Sequence, residues 1–546
     1  MSAEFGLPGR GPAVASAAGS GGMVASSHPA VSLAGARVLA GGGNAADAAL
    51  AMAALSWLAL PGQCGVGGDA FVLLRRPDGS VEAFGGSGFG PDGGEPAFYR
   101  DRGLRALPLE GALAVAAPGA VAALAALHAD SASLGLPELW APAIAAAEDG
   151  LPCTAKTRAD IVERRDALAR DPGTAEVFLP GGRVPRTGEP VFQRALGATL
   201  RRLADDPGDL YSGGLAERCV DALVDAGAPF SGYDWMASGR SAPEPALTCT
   251  YRGATVHLTP PPTPGWMVAQ QAGLCDGALA DLPWLSAEAV HRMASAARIA
   301  FADRFAGCGA DSDHWRTLLA PAALADARAR LDAGDLPAPA ASPVPAASPV
   351  PVGGDTTSMV AVDAEGRAVN LIHSLAFTFG ARITVPGTGI VLNNRLGRGA
   401  YLIDGHPNEV RPRRRPLHTL NAWLVTGTGG RLLHVGNTPG GDGQVQWNTQ
   451  LISHLLDHGH DPATAVAAPR FTVHPGSDAD VLGVPPGLRV ESRLGAARIE
   501  ALRASGHDVT VQGAWDAGGS AQIISVTGDA LLGASDPRQD GVALGV

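Results

Sequence analysis

Thr356 stands where a Pro/Ala-rich tether, residues 338–354, gives way to a β-like run. The tether has no apolar periodicity from which to build a core. The boundary reads Gly353-Gly354-Asp355-Thr356-Thr357-Ser358-Met359-Val360. If the chain were cut before Thr356, that residue would carry a hydroxyl nucleophile and, as its own α-amine, a base. Two Gly-rich segments, Gly65-Val66-Gly67-Gly68-Asp69 and Gly436-Asn437-Thr438-Pro439-Gly440-Gly441-Asp442-Gly443, fit neither phosphate-loop pattern. Successive N–H groups in the second suit an oxyanion, and a tight turn before a helix is the plainer reading. His454 and His458 lie at i, i+4, a metal-compatible spacing, but Gly459 reads as a helix C-cap beside His460. No metal site is assigned there. Gly85-Gly86-Ser87-Gly88 approaches a nucleophile elbow without matching it, so α/β-hydrolase chemistry is set aside. The run Arg411-Pro412-Arg413-Arg414-Arg415-Pro416 reads as a solvated loop, yet it leads straight into the polar cluster Leu417-His418-Thr419.

The elements that must position these residues follow from composition and pattern. The chain has 546 residues, 46% hydrophobic and 17% charged, with net charge −12. That is a core-forming composition without the basic face of a nucleic-acid binder. Positive charge is almost all arginine, with one lysine, Lys156. The first twenty residues lack a secretory apolar run, and the Ala-rich stretch 45–60 is too short to span a bilayer, so a cytoplasmic protein without membrane or nucleic-acid partners is expected. Six scattered cysteines without a C-x-x-C pair read as buried thiols.

Asn44 and Asp47 favour a helix start, and the apolar run to Leu58 predicts a helix buried on most sides. Strands are predicted at 70–74 and 80–84 around the turn Pro77-Asp78-Gly79. Helices are predicted at 119–128, 136–149, 157–170, 192–204 and 286–305. After Thr356 the pattern turns β-rich, with strands at 359–362, 367–372 and 389–392, and two helices follow the second Gly-rich loop. Helices before and strands after predict a layered α+β body.

Gly22-Met23-Val24-Ala25-Ser26-Ser27-His28-Pro29, Gly42-Gly43-Asn44-Ala45-Ala46-Asp47, Pro260-Pro261-Pro262-Thr263-Pro264-Gly265, Asp355-Thr356-Thr357, Leu392-Asn393-Asn394, Arg415-Pro416-Leu417, Pro439-Gly440-Gly441 and Ala534-Ser535-Asp536-Pro537-Arg538 occur in this order. In that order the chain resembles the γ-glutamyltransferase family of N-terminal-nucleophile hydrolases over most of its length. The resemblance implies a four-layer αββα sandwich and a precursor that cuts itself between Asp355 and Thr356. Residues 1–355 and 356–546 would then stay together as large and small subunits of one body, with a heterotetramer of two of each fitting relatives. It further implies Thr356 as nucleophile, Thr357 close to it, Ser374 as the supporting hydroxyl eighteen positions on, and Gly440 and Gly441 as oxyanion donors. No cofactor is implied.

The glutamyl-binding residues depart from the family pattern. Ser87 stands in place of an arginine and Ala376 in place of an asparagine. Arg395 and Arg398 follow Asn393-Asn394 where acids are usual, Arg382 replaces a glycine, and His418-Thr419 replaces a serine pair. Three arginines suit an anionic acyl group, because a guanidinium grips a carboxylate bidentately. The alternative is that they face solvent or pair with acids such as Asp404 or Asp442. With Asn394, His418, Thr419 and Asp442 they form the candidate substrate pocket. The oxyanion loop resembles the amidohydrolase branch, which includes oxamate amidohydrolase, and an oxalyl-removing branch of antibiotic pathways is related. Cephalosporin or glutaryl acylase activity, γ-glutamyl transfer, and an unprocessed non-catalytic homologue are the other readings.

Overall fold

The structure, a computed structural model, describes residues 14–337 and 356–546. The tether and Asp355 lie outside the described residues. Two seven-stranded sheets organise the rest. Their strands are β1 Ala17–Gly19, β2 Gly22–Ser26, β3 Asp69–Arg75, β4 Val81–Gly86, β5 Pro243–Pro245, β6 Leu247–Tyr251, β7 Ala254–Leu258, β8 Thr356–Asp363, β9 Ala368–Ser374, β10 Trp423–Thr426, β11 Leu432–Asn437, β12 Gln522–Thr527, β13 Ala530–Ser535 and β14 Val542–Gly545. One sheet runs β14-β2-β8-β9-β3-β4-β5 and the other β1-β13-β12-β11-β10-β7-β6. The main helices are α1 Pro29–Ala40, α2 Ala45–Ala59, α3 Leu136–Asp149, α4 Gly265–Cys275, α5 Ala287–Gly307, the short α6 Arg395–Gly399, and α7 Gly443–Leu456.

Alternation along the strands assigns the layers. Phe71, Leu73, Val360, Val362, Ile372, Leu424, Val435 and Ile524 interdigitate between the two sheets. The opposite face of the first sheet (Val72, Met359, Ala361, Leu371) packs on α1 and α2, and α3 packs on α2. The outer face of the second (Val256, Trp423, Val425, Ile523) packs on α4, α5 and α7. The result is an α+β, four-layer αββα sandwich. Helix α2 lies entirely inside it, every residue buried, with a capping box made by Asn44 and Asp47 as its sequence predicts.

The expected division into a helical first part and a β-rich second part does not hold. Residues before position 356 supply seven of the fourteen strands, and each sheet contains strands from both sides of that position. The short strands at 243–258 carry too few residues for their alternation to stand out. The strand expected at 389–392 contracts to Ile390–Val391. All six cysteines are free, and only Cys249 is not fully buried.

One polar residue ties the sheets together. Asn370, on β9 and fully buried, donates Nδ2 to the carbonyls of Trp423 (2.8 Å) and Gly436 (2.7 Å) on the facing sheet, and its Oδ1 accepts from Asn437. A satisfied amide in so dry a place fixes the relative position of the two sheets.

Candidate active site

Strand register places three polar residues in one row. Thr356 pairs with Ser374, and Ser374 pairs with Asp69. All three share the inter-sheet face with Val360, Ile372 and Phe71. Thr356 Oγ1 donates to Ser374 Oγ at 3.0 Å, and the same oxygen accepts the Ala376 N–H at 2.8 Å. The hydroxyl pair expected from the sequence is therefore brought together. Thr357 is not part of it. It pairs with His373, whose ring bonds Ser56 on α2 at 2.9 Å, so alternation turns Thr357 to the helical side, away from the Thr356 hydroxyl.

Asp69 is the residue that sequence reasoning overlooked. It closes the segment Gly65–Asp69, where only phosphates and turns were considered. The glycines there serve close approach: a Cβ on Gly68 would lie 2.4 Å from the Ser374 carbonyl oxygen. Asp69 Oδ2 accepts from Arg395 Nε at 3.0 Å, with neither side chain exposed. Arg395 NH1 and NH2 and Asp69 Oδ1 have no hydrogen-bond partner. Burial pushes the Asp69 carboxyl up to about 6 against the pull of Arg395. Asn393 sets the arginine's place by accepting the N–H groups of Ala116 (3.2 Å) and Arg395 (2.9 Å).

His418 lies on the other flank. Its Nε2 bonds Ser87 Oγ at 2.7 Å and stands 3.9 Å from Asp69 Oδ2, while Nδ1 has no partner. Burial, reinforced by Arg395, Arg415, Arg304 and Arg398, holds the imidazole far below its usual range, so it is neutral. Thr419 Oγ1, also buried, has no partner.

The remaining expected pocket residues are committed elsewhere. Arg398 gives Nε and NH2 to Asp478 (2.7 and 2.6 Å), gives NH1 to the Ala376 carbonyl (2.6 Å), and stacks on Phe377. Asp442 accepts Arg304 NH1 at 2.9 Å on one oxygen and the N–H groups of Ser477 and Asp478 on the other. Arg382 pairs with Glu110. Asn394 bridges Phe377 N (3.0 Å) and the Leu109 carbonyl (2.7 Å). The acids that meet the arginines are thus Asp69, Asp478 and Glu110. Asp404 pairs with Arg100 and Asp442 with Arg304. These partners are far apart in sequence, and no spacing announces them.

The second Gly-rich loop runs from the end of β11 into α7. The carbonyls of Gly440 and Gly441 accept the first helical N–H groups, from Gly443 and Gln444, at 3.0 Å each. Among the described residues their own N–H groups donate to nothing, and φ is +135° at Gly440 and +58° at Gly441. Two free donors at a helix N-terminus suit an oxyanion. His454, near the end of α7, takes up a structural contact: its Nδ1 accepts from Trp284 Nε1 at 3.0 Å.

The sequence model described as gamma-glutamyltranspeptidase matches residues 31–546. The chain is 33% identical over 534 residues to the glutathione hydrolase-like YwrD proenzyme of Bacillus subtilis (strain 168), covering 96% of this chain and 98% of that protein. It is also 33% identical over 541 residues to the oxamate amidohydrolase proenzyme of Klebsiella pneumoniae, with the same coverage. Among solved structures, cephalosporin acylase from Bacillus halodurans superposes with a TM-score of 0.86 at 27% identity, over 100% of this chain and 99% of that one.

Proposed function

The chain belongs to the gamma-glutamyltranspeptidase family, and from that premise we propose that it cuts itself before Thr356 and then hydrolyses an amide whose acyl group carries its own carboxylate. Membership makes it an enzyme, a hydrolase or acyltransferase working through an N-terminal threonine and matured from a proenzyme into two associated subunits. The identity of the bond and the roles of the residues are our reading.

In the precursor, Thr356 Oγ attacks the Asp355 carbonyl carbon. The C–N bond breaks to leave an ester and a free α-amine, and water then hydrolyses the ester. In the mature enzyme that amine takes the Thr356 hydroxyl proton as Oγ attacks the substrate carbonyl. The Gly440 and Gly441 N–H groups receive the oxyanion. The leaving amine departs with the proton, and water releases the acid. Ser374 accepts a hydrogen bond from the Thr356 hydroxyl and orients it.

The observation that carries the anionic acyl group is the unpartnered fork of Arg395, fully buried and held by its Nε. A carboxylate on NH1 and NH2 would complete it. An oxalyl or oxamate-type group is the shortest acyl chain of this kind, and a C–C bond next to such a carbonyl opens by the same attack where the leaving carbon departs as a conjugated enol that takes up the proton. Longer glutaryl-type chains share the chemistry. A γ-glutamyl ammonium fits less well, because Asp69 and Asp478 are already paired with arginine. We also propose a heterotetramer of two large and two small subunits. Among the described residues, no helix is long and apolar enough to cross a membrane.

Steady-state rates on oxamate, glutaryl-p-nitroanilide and γ-glutamyl-p-nitroanilide test the reading. One of the two acyl groups that carry a carboxylate and no ammonium should be preferred, and Arg395→Met should erase that preference. Robust γ-glutamyl turnover that Arg395→Met leaves unchanged would overturn it.

A further inference from the structure

The oxyanion loop is shaped by one indole. Trp447 lies one turn into α7, fully buried, and three glycines press on its ring. A Cβ on Gly440 would lie 2.0 Å from the ring, one on Gly443 2.6 Å, and one on Gly519 2.8 Å. Gly519 also abuts the loop itself, its Cβ position 2.8 Å from the Pro439 carbonyl oxygen and 2.8 Å from Thr438 Oγ1. The indole N–H donates to Thr472 Oγ1 at 2.9 Å. The Arg470 guanidinium stacks 5.2 Å from the ring centroid.

Arg470 is itself held. Its NH1 bonds the Gly518 carbonyl at 2.5 Å and its NH2 pairs with Asp536, which also accepts the Ala521 N–H at 2.9 Å. Arg538 joins Asp536 to Glu491, and all four charged side chains are buried. This charge cluster therefore clamps the 518–521 turn on one side of the loop and backs the indole on the other. The local hydrogen bonds of Gly440 and Gly441 engage only their carbonyls. The indole directly limits where Gly440 can sit, and Gly443 fixes the far end of the same loop against it.

We propose that Trp447 is a positioning residue for the oxyanion donors, with Arg470 and the 518–519 turn completing the mould. The inference rests on the assignment of Gly440 and Gly441 above. A misaimed donor weakens the transition state and leaves substrate binding intact, so the effect belongs in kcat.

The test compares the processed wild type with Trp447→Phe, which removes the indole edge and the bond to Thr472. Trp235→Phe serves as the structural control, because Trp235 is equally buried, donates to the Leu210 carbonyl and lies in the helical layer. Trp447→Phe should lower kcat about tenfold at unchanged KM. The Ki of a boronic-acid analogue of the acyl group should rise by the same factor, while that of the matching simple carboxylate stays put. Trp235→Phe should lower only the melting temperature. An unchanged kcat in Trp447→Phe, or a fall in kcat without a rise in the boronate Ki, overturns the proposal. Failure of the oxyanion assignment has its own signature: wild type would then bind the boronate no better than the carboxylate.

Discussion

Asp69 holds Arg395 by the guanidinium Nε alone, at 3.0 Å, and leaves both terminal nitrogens unpartnered where neither side chain meets solvent. An ion pair used only to stabilise the fold would close the fork. This one leaves the fork open beside the Thr356–Ser374 pair.

The first prediction separates stability from recognition. Arg395→Met strands a buried carboxylate and should cost about 3–5 kcal/mol of stability. Asp69→Asn added to it should recover most of that loss, since a neutral pair of similar volume tolerates burial. Turnover of a carboxylate-bearing acyl group should stay at least about a hundredfold down in both variants, the usual scale for losing a buried charged contact. Chemical denaturation and kcat/KM measure the two effects independently. Recovered turnover in the double variant would remove Arg395 from the pocket.

pH should act through Asp69. Its carboxyl sits at about 6 instead of 3.8, so between those values the folded protein keeps a proton that the unfolded chain has lost. Its contribution to stability is therefore greatest below about pH 4 and is lost as pH rises through 6. Activity runs the opposite way, because a protonated Asp69 releases Arg395. The kcat/KM profile should show an acid limb near pH 6, below that of the Thr356 α-amine, whose ordinary value is about 7.7–8.0. Asp69→Asn should abolish the lower limb alone. His418, held neutral, should add none.

Maturation is read on a denaturing gel. The 55.1 kDa chain should give bands of about 36 and 19 kDa, by residue share on either side of position 356. Thr356→Ala should leave one full-length, inactive band. Ser374→Ala removes the partner of the Thr356 hydroxyl, a loss of about 1 kcal/mol, and should slow processing roughly fivefold without stopping it. Thr357→Val, facing the helical layer, should process normally. A single unprocessed wild-type band after long incubation would favour a non-catalytic homologue.

The inter-sheet tie predicts a stability effect far larger than its size. Asn370→Leu leaves the Trp423 and Gly436 carbonyls and the Asn437 amide without their partner. A loss of about 3 kcal/mol or more is expected from buried groups left unsatisfied. A shift in the urea midpoint measures it, and a loss under about 1 kcal/mol would show that the sheets hold their spacing without this residue.

Much of the site was legible because its parts are local in sequence. Thr356 follows a tether, Gly440-Gly441 precedes a helix, and Ser374 lies one hairpin away. The capping box at Asn44 and the course of α3 were readable for the same reason. Arg398, Arg382 and Asp442 were read as pocket residues because a sequence displays charge without its partner. Asp478, Glu110 and Arg304 stand 80 to 272 positions away from the residues they neutralise, and only the fold brings them together. Thr357 illustrates the same limit at short range: adjacent residues on a strand point to opposite layers.

The interleaving of strands from both sides of position 356 has a consequence in time. Thr356 meets Ser374 within the β8–β9 hairpin, but that hairpin is enclosed between β2 and β3 only after distant parts of the chain have assembled. In a chain that frees its own nucleophile, maturation then reports on folding: a misassembled precursor never acquires the amine. Once cut, the two pieces share both sheets, and neither can leave without dismantling the other. The mature enzyme is a one-way state, a record that the chain once folded correctly.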